Sequence, residues 1–130
     1  MIGIVIVAHG HLAEEYLATV EHVVGPQQGI RTVSISADHD RAAKQAEISE
    51  AVDAVDRGGG VVVVTDMFGG TPSNLSLRVC DRAGRRILYG ANVPMLIKLA
   101  KSRRMSLEDA TAGALQAGRR YIDAFDGLAG

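Results

Sequence analysis

A chain of 130 residues is the length of one ordinary domain, and 47% hydrophobic residues supply a core without disulfides or metals. A formal charge of −1 removes the electrostatic case for a nucleic-acid partner, and a single cysteine, Cys80, excludes an internal disulfide. The apolar runs fall far short of the roughly 20 residues a bilayer span needs, and no basic segment precedes a long apolar one at the N-terminus, so neither an anchor nor a signal peptide is expected.

The first strand is predicted over Ile2–Val7, almost wholly apolar, and it breaks at Ala8-His9-Gly10-His11. A helical pattern follows, with Leu12, Tyr16, Val20 and Val23 on one face and Gly25-Pro26 as the turn beyond it. Arg31–Ile35 is the second strand. The polar stretch "SADHDRA" leads into a helix whose Ile48, Val52 and Val55 share a face. Three glycines, Gly58 to Gly60, turn the chain into the third strand, Val61–Thr65. After it comes "DMFGGTPSN", in which Thr71 is the expected cap and Pro72 the first residue of a helix carrying Leu75 and Val79. Arg86–Tyr89 is the fourth strand. Pro94 opens a short helix, and Ser106 caps a last one with Asp109 at its third position and Leu107, Ala110, Ala114, Ala117 and Tyr121 at helical spacing. From Ile122 the pattern weakens to a tail, a further edge strand or an arm toward a second subunit.

Alternating strands and helices mean an α/β, doubly wound, mostly parallel sheet with helices on both faces, in one domain over residues 1–130. The simplest order for four strands is 2-1-3-4. Ligands of such sheets bind beyond the carboxyl ends of the strands at the switch point, here between strands one and three. That order sets His9 beside Asp66. A carboxylate on one ring nitrogen fixes the imidazole tautomer and leaves the other nitrogen as an outward lone pair, a nucleophile. Gly69 and Gly70 allow a tight turn that presents N–H groups, Thr71 and Ser73 add hydroxyls, and the helix start adds its dipole. Together these suggest a phosphoryl group carried on His9. No Gly-Lys-Ser/Thr follows the glycines, so the phosphate has to come from another phosphorylated protein rather than a nucleotide.

Other residues admit two readings. Met67 and Phe68 either receive a partner protein or pack over the first helix. Asn92 lines the crevice or forms a turn. The basic groups Arg82, Arg85, Arg86 and Lys101, Arg103, Arg104 are solvated helix ends or a docking rim for an acidic protein. Cys80 reads as a small buried hydrophobe, consistent with a reducing compartment. His22 and His39 read as surface residues.

Three blocks resemble the mannose-type enzyme IIA (EIIA-Man) of the bacterial phosphoenolpyruvate-dependent sugar phosphotransferase system. "IVIVAHGHLAE" looks like that family's opening strand with its phosphorylated histidine, "VVVTDMFGGTPSNLS" like its second signature, and "GANVPMLIKL" like its Gly-x-Asn-x-Pro-Met-Leu segment, in order over roughly residues 1–120. The resemblance implies a cytoplasmic phosphotransferase in which His9 accepts a phosphoryl group from phospho-HPr and passes it to a IIB protein. Asp66 then orients the imidazole; Gly10, Phe68, Gly69, Gly70, Thr71 and Ser73 surround the phosphate. It implies a homodimer with strand exchange near the C-terminus, contact with membranes only through IIC and IID partners, and no metal or cofactor. The family often has an aromatic residue where His11 stands, so His11 is expected to be a bystander. With no linker or IIB sequence here, the acceptor is expected to be a separate protein. The rival readings are a phosphorylation-dependent regulator with the same residues, a dihydroxyacetone-kinase phosphotransfer subunit, and a tetrapyrrole metal chelatase with His9 on the metal.

Overall fold

A computed structural model describes residues 1–67 and 69–127. The chain runs β1 (Gly3–His9), α1 (Leu12–Val24), β2 (Ile30–Ile35), α2 (Arg41–Val55), β3 (Val61–Thr65), α3 (Thr71–Val79), β4 (Arg85–Leu88), α4 (Val93–Lys101) and α5 (Leu107–Arg120). The four strands form one parallel sheet in the order β2-β1-β3-β4, as the sequence implied. In its register His9 stands level with Ile35, and Val7 level with Thr65.

Strand side chains alternate between faces, and both faces are covered, so β1 and β3 are apolar at nearly every position. Ile4, Ile6, Ala8, Val62 and Val64 pack against Val20 of α1, Met95 and Leu99 of α4 and Ala110 and Ala114 of α5. Val5, Val7, Val61 and Val63 pack on the opposite side against Ile48 and Val52 of α2 and Leu75 and Val79 of α3. The connection leaving β1 therefore turns to one face and that leaving β3 to the other. This opens the crevice between their carboxyl ends.

Several local details differ from expectation. On α1 the buried face is Ala13, Tyr16, Leu17, Val20 and Val24, while Leu12 and Val23 are exposed. Each i, i+4 step rotates a row by about 40° at 3.6 residues per turn, so the row beginning at Leu12 starts off the buried stripe. Helix α3 starts one residue early: Gly70 occupies the cap and Thr71 is already helical. The cap of α5 is as expected, Ser106 Oγ accepting from Asp109 N–H; α4 opens at Val93, one residue before Pro94, and its cap is Asn92, whose Oδ1 accepts from Met95 N–H. Among the described residues no fifth strand forms. Asp123 bonds the N–H of Ala124 through its own side chain (2.7 Å), which draws the backbone away from a ladder. Tyr121, Ile122 and Phe125 are exposed.

Two arginines of the basic groups are structural. Arg103 is buried and donates to the carbonyls of Ile2 (2.8 Å), Gly29 (2.9 Å) and Gln28, clamping the amino ends of β1 and β2. Arg85 bonds Asp53 (2.9 Å) and the Val79 carbonyl (3.0 Å). Arg82, Arg86, Lys101 and Arg104 are exposed. Cys80 is half-buried against the second cluster, and burial pushes its thiol up to about 11.

Helix α2 lies close over β1 at Gly3, where an added Cβ would stand 2.3 Å from the Val55 carbonyl oxygen and 2.7 Å from its Cγ2. Backbone cannot yield as a flexible side chain does. Gly3→Ala is expected to cost about 1–3 kcal/mol by overpacking, read as a lower urea midpoint at unchanged slope. A midpoint equal to wild type would show that α2 slides freely on β1.

Candidate active site

The site is assembled by two strand ends. β1 terminates in His9, and Gly10 (φ +57°) reverses the chain into α1 in a conformation that favours glycine. The Gly10 N–H bonds the Ile35 carbonyl (2.8 Å), which ties this turn to the end of β2. β3 ends at Thr65, and Asp66 follows.

One oxygen of Asp66 does two things. Oδ2 accepts the backbone N–H of His9 (3.0 Å) and lies 2.8 Å from the ring Nδ1. The His9 side chain is 47% exposed, and that of Asp66 12%. Burial alone would push the Asp66 carboxyl up, but the backbone and ring hydrogen bonds and the charge interaction of His9 outweigh it and hold it below the ordinary value. The group is thus ionised at neutral pH and only accepts. Nδ1 must then be the N–H donor, and Nε2 carries the free lone pair. The other oxygen, Oδ1, is buried and has no hydrogen-bond partner among the described residues.

Nε2 faces the start of α3. A Cβ on Gly70 would lie 3.2 Å from His9 Cε1, 3.4 Å from Met67 Cγ and 3.7 Å from Nε2. Any side chain there would crowd the ring. Gly69 (φ +86°) makes the turn that brings the loop so close. The first helical N–H groups have no partner within a helix, and proline has none to offer. Thr71 and Ser73 therefore supply the amides, around Pro72. Thr71 is half-buried; since Gly70 holds the cap, its hydroxyl is not spent on capping. Ser73 is completely buried, and its hydroxyl has no partner among the described residues. Met67 is exposed, as a partner-facing residue would be. Phe68 lies outside the described residues.

The other candidates separate from the site. The His11 side chain is 86% exposed and its Nδ1 stands 4.0 Å from Glu14, a surface contact without an orienting role. His22 is exposed. His39 is exposed too, with Nδ1 accepting the N–H of Ser36 (3.1 Å). Asn92 caps α4 and donates to the carbonyls of Gly90 and Gly118 instead of reaching the crevice.

Sequence reasoning missed Tyr16. Its hydroxyl donates to the Ala91 carbonyl (3.0 Å), and the Ala91 N–H bonds the Thr65 carbonyl, which links α1 to the end of β3 beside Asp66. Burial, and then the charge of Asp66, raise the Tyr16 phenol above its usual value. The only signal was an aromatic seven residues past His9, on a helix face already explained by packing.

The family model EIIA-man, described as PTS system fructose IIA component, matches residues 3–116. The chain is 29% identical over 126 residues to the mannose-specific EIIAB component of Escherichia coli K12, covering 95% of this chain and 39% of that one. It therefore spans about two-fifths of the length of that relative. It is 26% identical over 100 residues to the sorbose-specific EIIA component of Lacticaseibacillus casei, covering 75% of this chain and 70% of that one. Among solved structures, the phosphotransferase system component EIIA from Streptococcus agalactiae superposes with TM-score 0.85 at 26% identity, over 96% of this chain and 98% of that one. The mannose/sorbose-specific IIA subunit from Enterococcus faecalis does so with TM-score 0.85 at 25% identity, over 96% and 95%.

Proposed function

We propose, from the premise that this chain belongs to the EIIA-man family of phosphotransferase-system IIA components, that it carries a phosphoryl group on Nε2 of His9. The observation that carries this reading is the double use of Asp66 Oδ2, which fixes both the His9 backbone and the ring tautomer. Phospho-HPr is the donor and a IIB protein the acceptor. The Nε2 lone pair bonds to phosphorus as the donor's bond to it breaks, and the electron pair leaves with the donor. Nδ1 keeps its proton, and Asp66 stabilises the positive charge the ring gains. Oxygens of the transferred group meet the amides of Thr71 and Ser73, the Thr71 hydroxyl and the positive end of α3. Gly10 and Gly70 leave room for it. Transfer to IIB is the same step reversed.

Met67, exposed beside the crevice, belongs to the surface that meets these partners. The chain works in the cytoplasm and reaches membranes only through IIC and IID proteins; no helix among the described residues is long and apolar enough to cross a bilayer. The exposed Tyr121, Ile122 and Phe125 support a homodimer built through this end of the chain.

Incubation with phosphoenolpyruvate, enzyme I and HPr is expected to add the mass of one phosphoryl group in an acid-labile, base-stable linkage, as a phosphoramidate requires. A base-labile or acid-stable adduct, or none, would overturn the assignment.

A further inference from the structure

Next to the phosphoryl site lies a side chamber of about 160 Å³, whose lining apart from Thr71 takes no part in the site already described. The loop after β2 contributes Ser36 and His39, the first turn of α2 contributes Arg41 and Lys44, and α3 contributes Thr71 and Leu75. Thr71 is thus a wall common to both sites, and Ile35, level with His9, closes the inner end.

The polar groups of this chamber are donors. Nδ1 of His39 accepts the Ser36 N–H, so the neutral ring carries its proton on Nε2. Lys44, its side chain 17% exposed, bonds Glu47 through its ammonium at 2.8 Å, and among the described residues Arg41 has no hydrogen bond or ion pair. No carboxylate lines the space. Asp40 uses its oxygen on the Ala43 N–H, and Asp38 stands outside the walls. The two cations also occupy the end of α2 where the helix dipole is already positive, and no acidic residue lies in that first turn. Nothing in the fold requires like charges to gather there. Glu47 already meets Lys44, so an oxyanion would match the charge of Arg41 and share the Lys44 ammonium with Glu47.

Size narrows the ligand. Pockets for whole metabolites run to about 300–1,000 Å³. A chamber of about 160 Å³ suits a phosphate-sized group rather than a whole metabolite. We infer that it is a second oxyanion site, separate from His9, for inorganic phosphate or the phosphate end of a phosphomonoester, held by Arg41 and Lys44.

The test is an amide NMR titration of the full chain with sodium phosphate or glycerol phosphate, each against sodium chloride at equal ionic strength. Saturable shifts are expected over residues 36–44 and 71–75, and they persist in His9→Ala, which keeps the chamber. The tighter of the two probes identifies the source of the anion. Arg41→Gln/Lys44→Gln, two substitutions outside the apolar core, should weaken binding at least tenfold while signals elsewhere stay in place. Shifts that do not saturate, that match chloride, or that survive unchanged in the double variant overturn the proposal. So do shifts centred on Gly10, Gly69 and Gly70 alone, which would put the anion at the phosphoryl site.

Discussion

His9→Ala is expected to abolish phosphoryl uptake from phospho-HPr, while His11→Ala stays within about twofold of wild type, the range of an ordinary surface substitution. No other group can replace His9. A nucleophile here needs a lone pair fixed by an orienting partner and placed against anion donors, and His11 has only a 4.0 Å contact to an exposed glutamate. The loss should belong to chemistry, not folding. Asp66 Oδ2 receives two bonds from His9, and the backbone one, at 3.0 Å, survives in alanine. The cost to stability is then that of a single hydrogen bond, about 0.5–1.5 kcal/mol. Intact-mass spectrometry after incubation with the donor chain, together with urea unfolding of the same samples, separates the two effects. A His9→Ala variant that still takes up the label would place the phosphoryl group elsewhere.

The crevice was legible because its causes are local and periodic. Apolar runs at β1 and β3 mark strands covered on both faces, and the parallel order that buries them sets His9 beside Asp66. What escaped has no such signature. Whether the cap of α3 is Gly70 or Thr71 changes nothing in the apolar pattern, yet it decides which hydroxyl is free, and it goes with Ser73 lying in the interior. The doubled bond to one Asp66 oxygen depends on how far β3 runs relative to β1, which no window of sequence contains. Arg103 looked like part of a solvated cluster because its three carbonyl partners lie at least 74 residues away in the chain. Tyr16 was hidden for the opposite reason: packing already accounted for it.

Asp66→Asn should slow phosphoryl transfer by about 10²–10⁴-fold, the range lost when an acid–base or orienting carboxylate is made neutral. An amide offers either its oxygen or its NH₂ to the ring. With the oxygen, Nδ1–H is held but no negative charge meets the cation formed on phosphorylation. With the NH₂, Nδ1 must accept, the proton moves to Nε2, and the attacking lone pair is gone. The same substitution carries a pH signature. The folded carboxyl lies below its unfolded value, which is near 3.9. Its contribution to stability is therefore fully present above that value and is lost as pH falls through the lower folded value. Urea unfolding should show wild type more stable than Asp66→Asn at pH 7, with the gap closing below about pH 4. A gap that is constant with pH would mean that the ionised form of Asp66 gains nothing from His9. Wild-type transfer rates in Asp66→Asn would show that the ring holds its tautomer without the carboxylate.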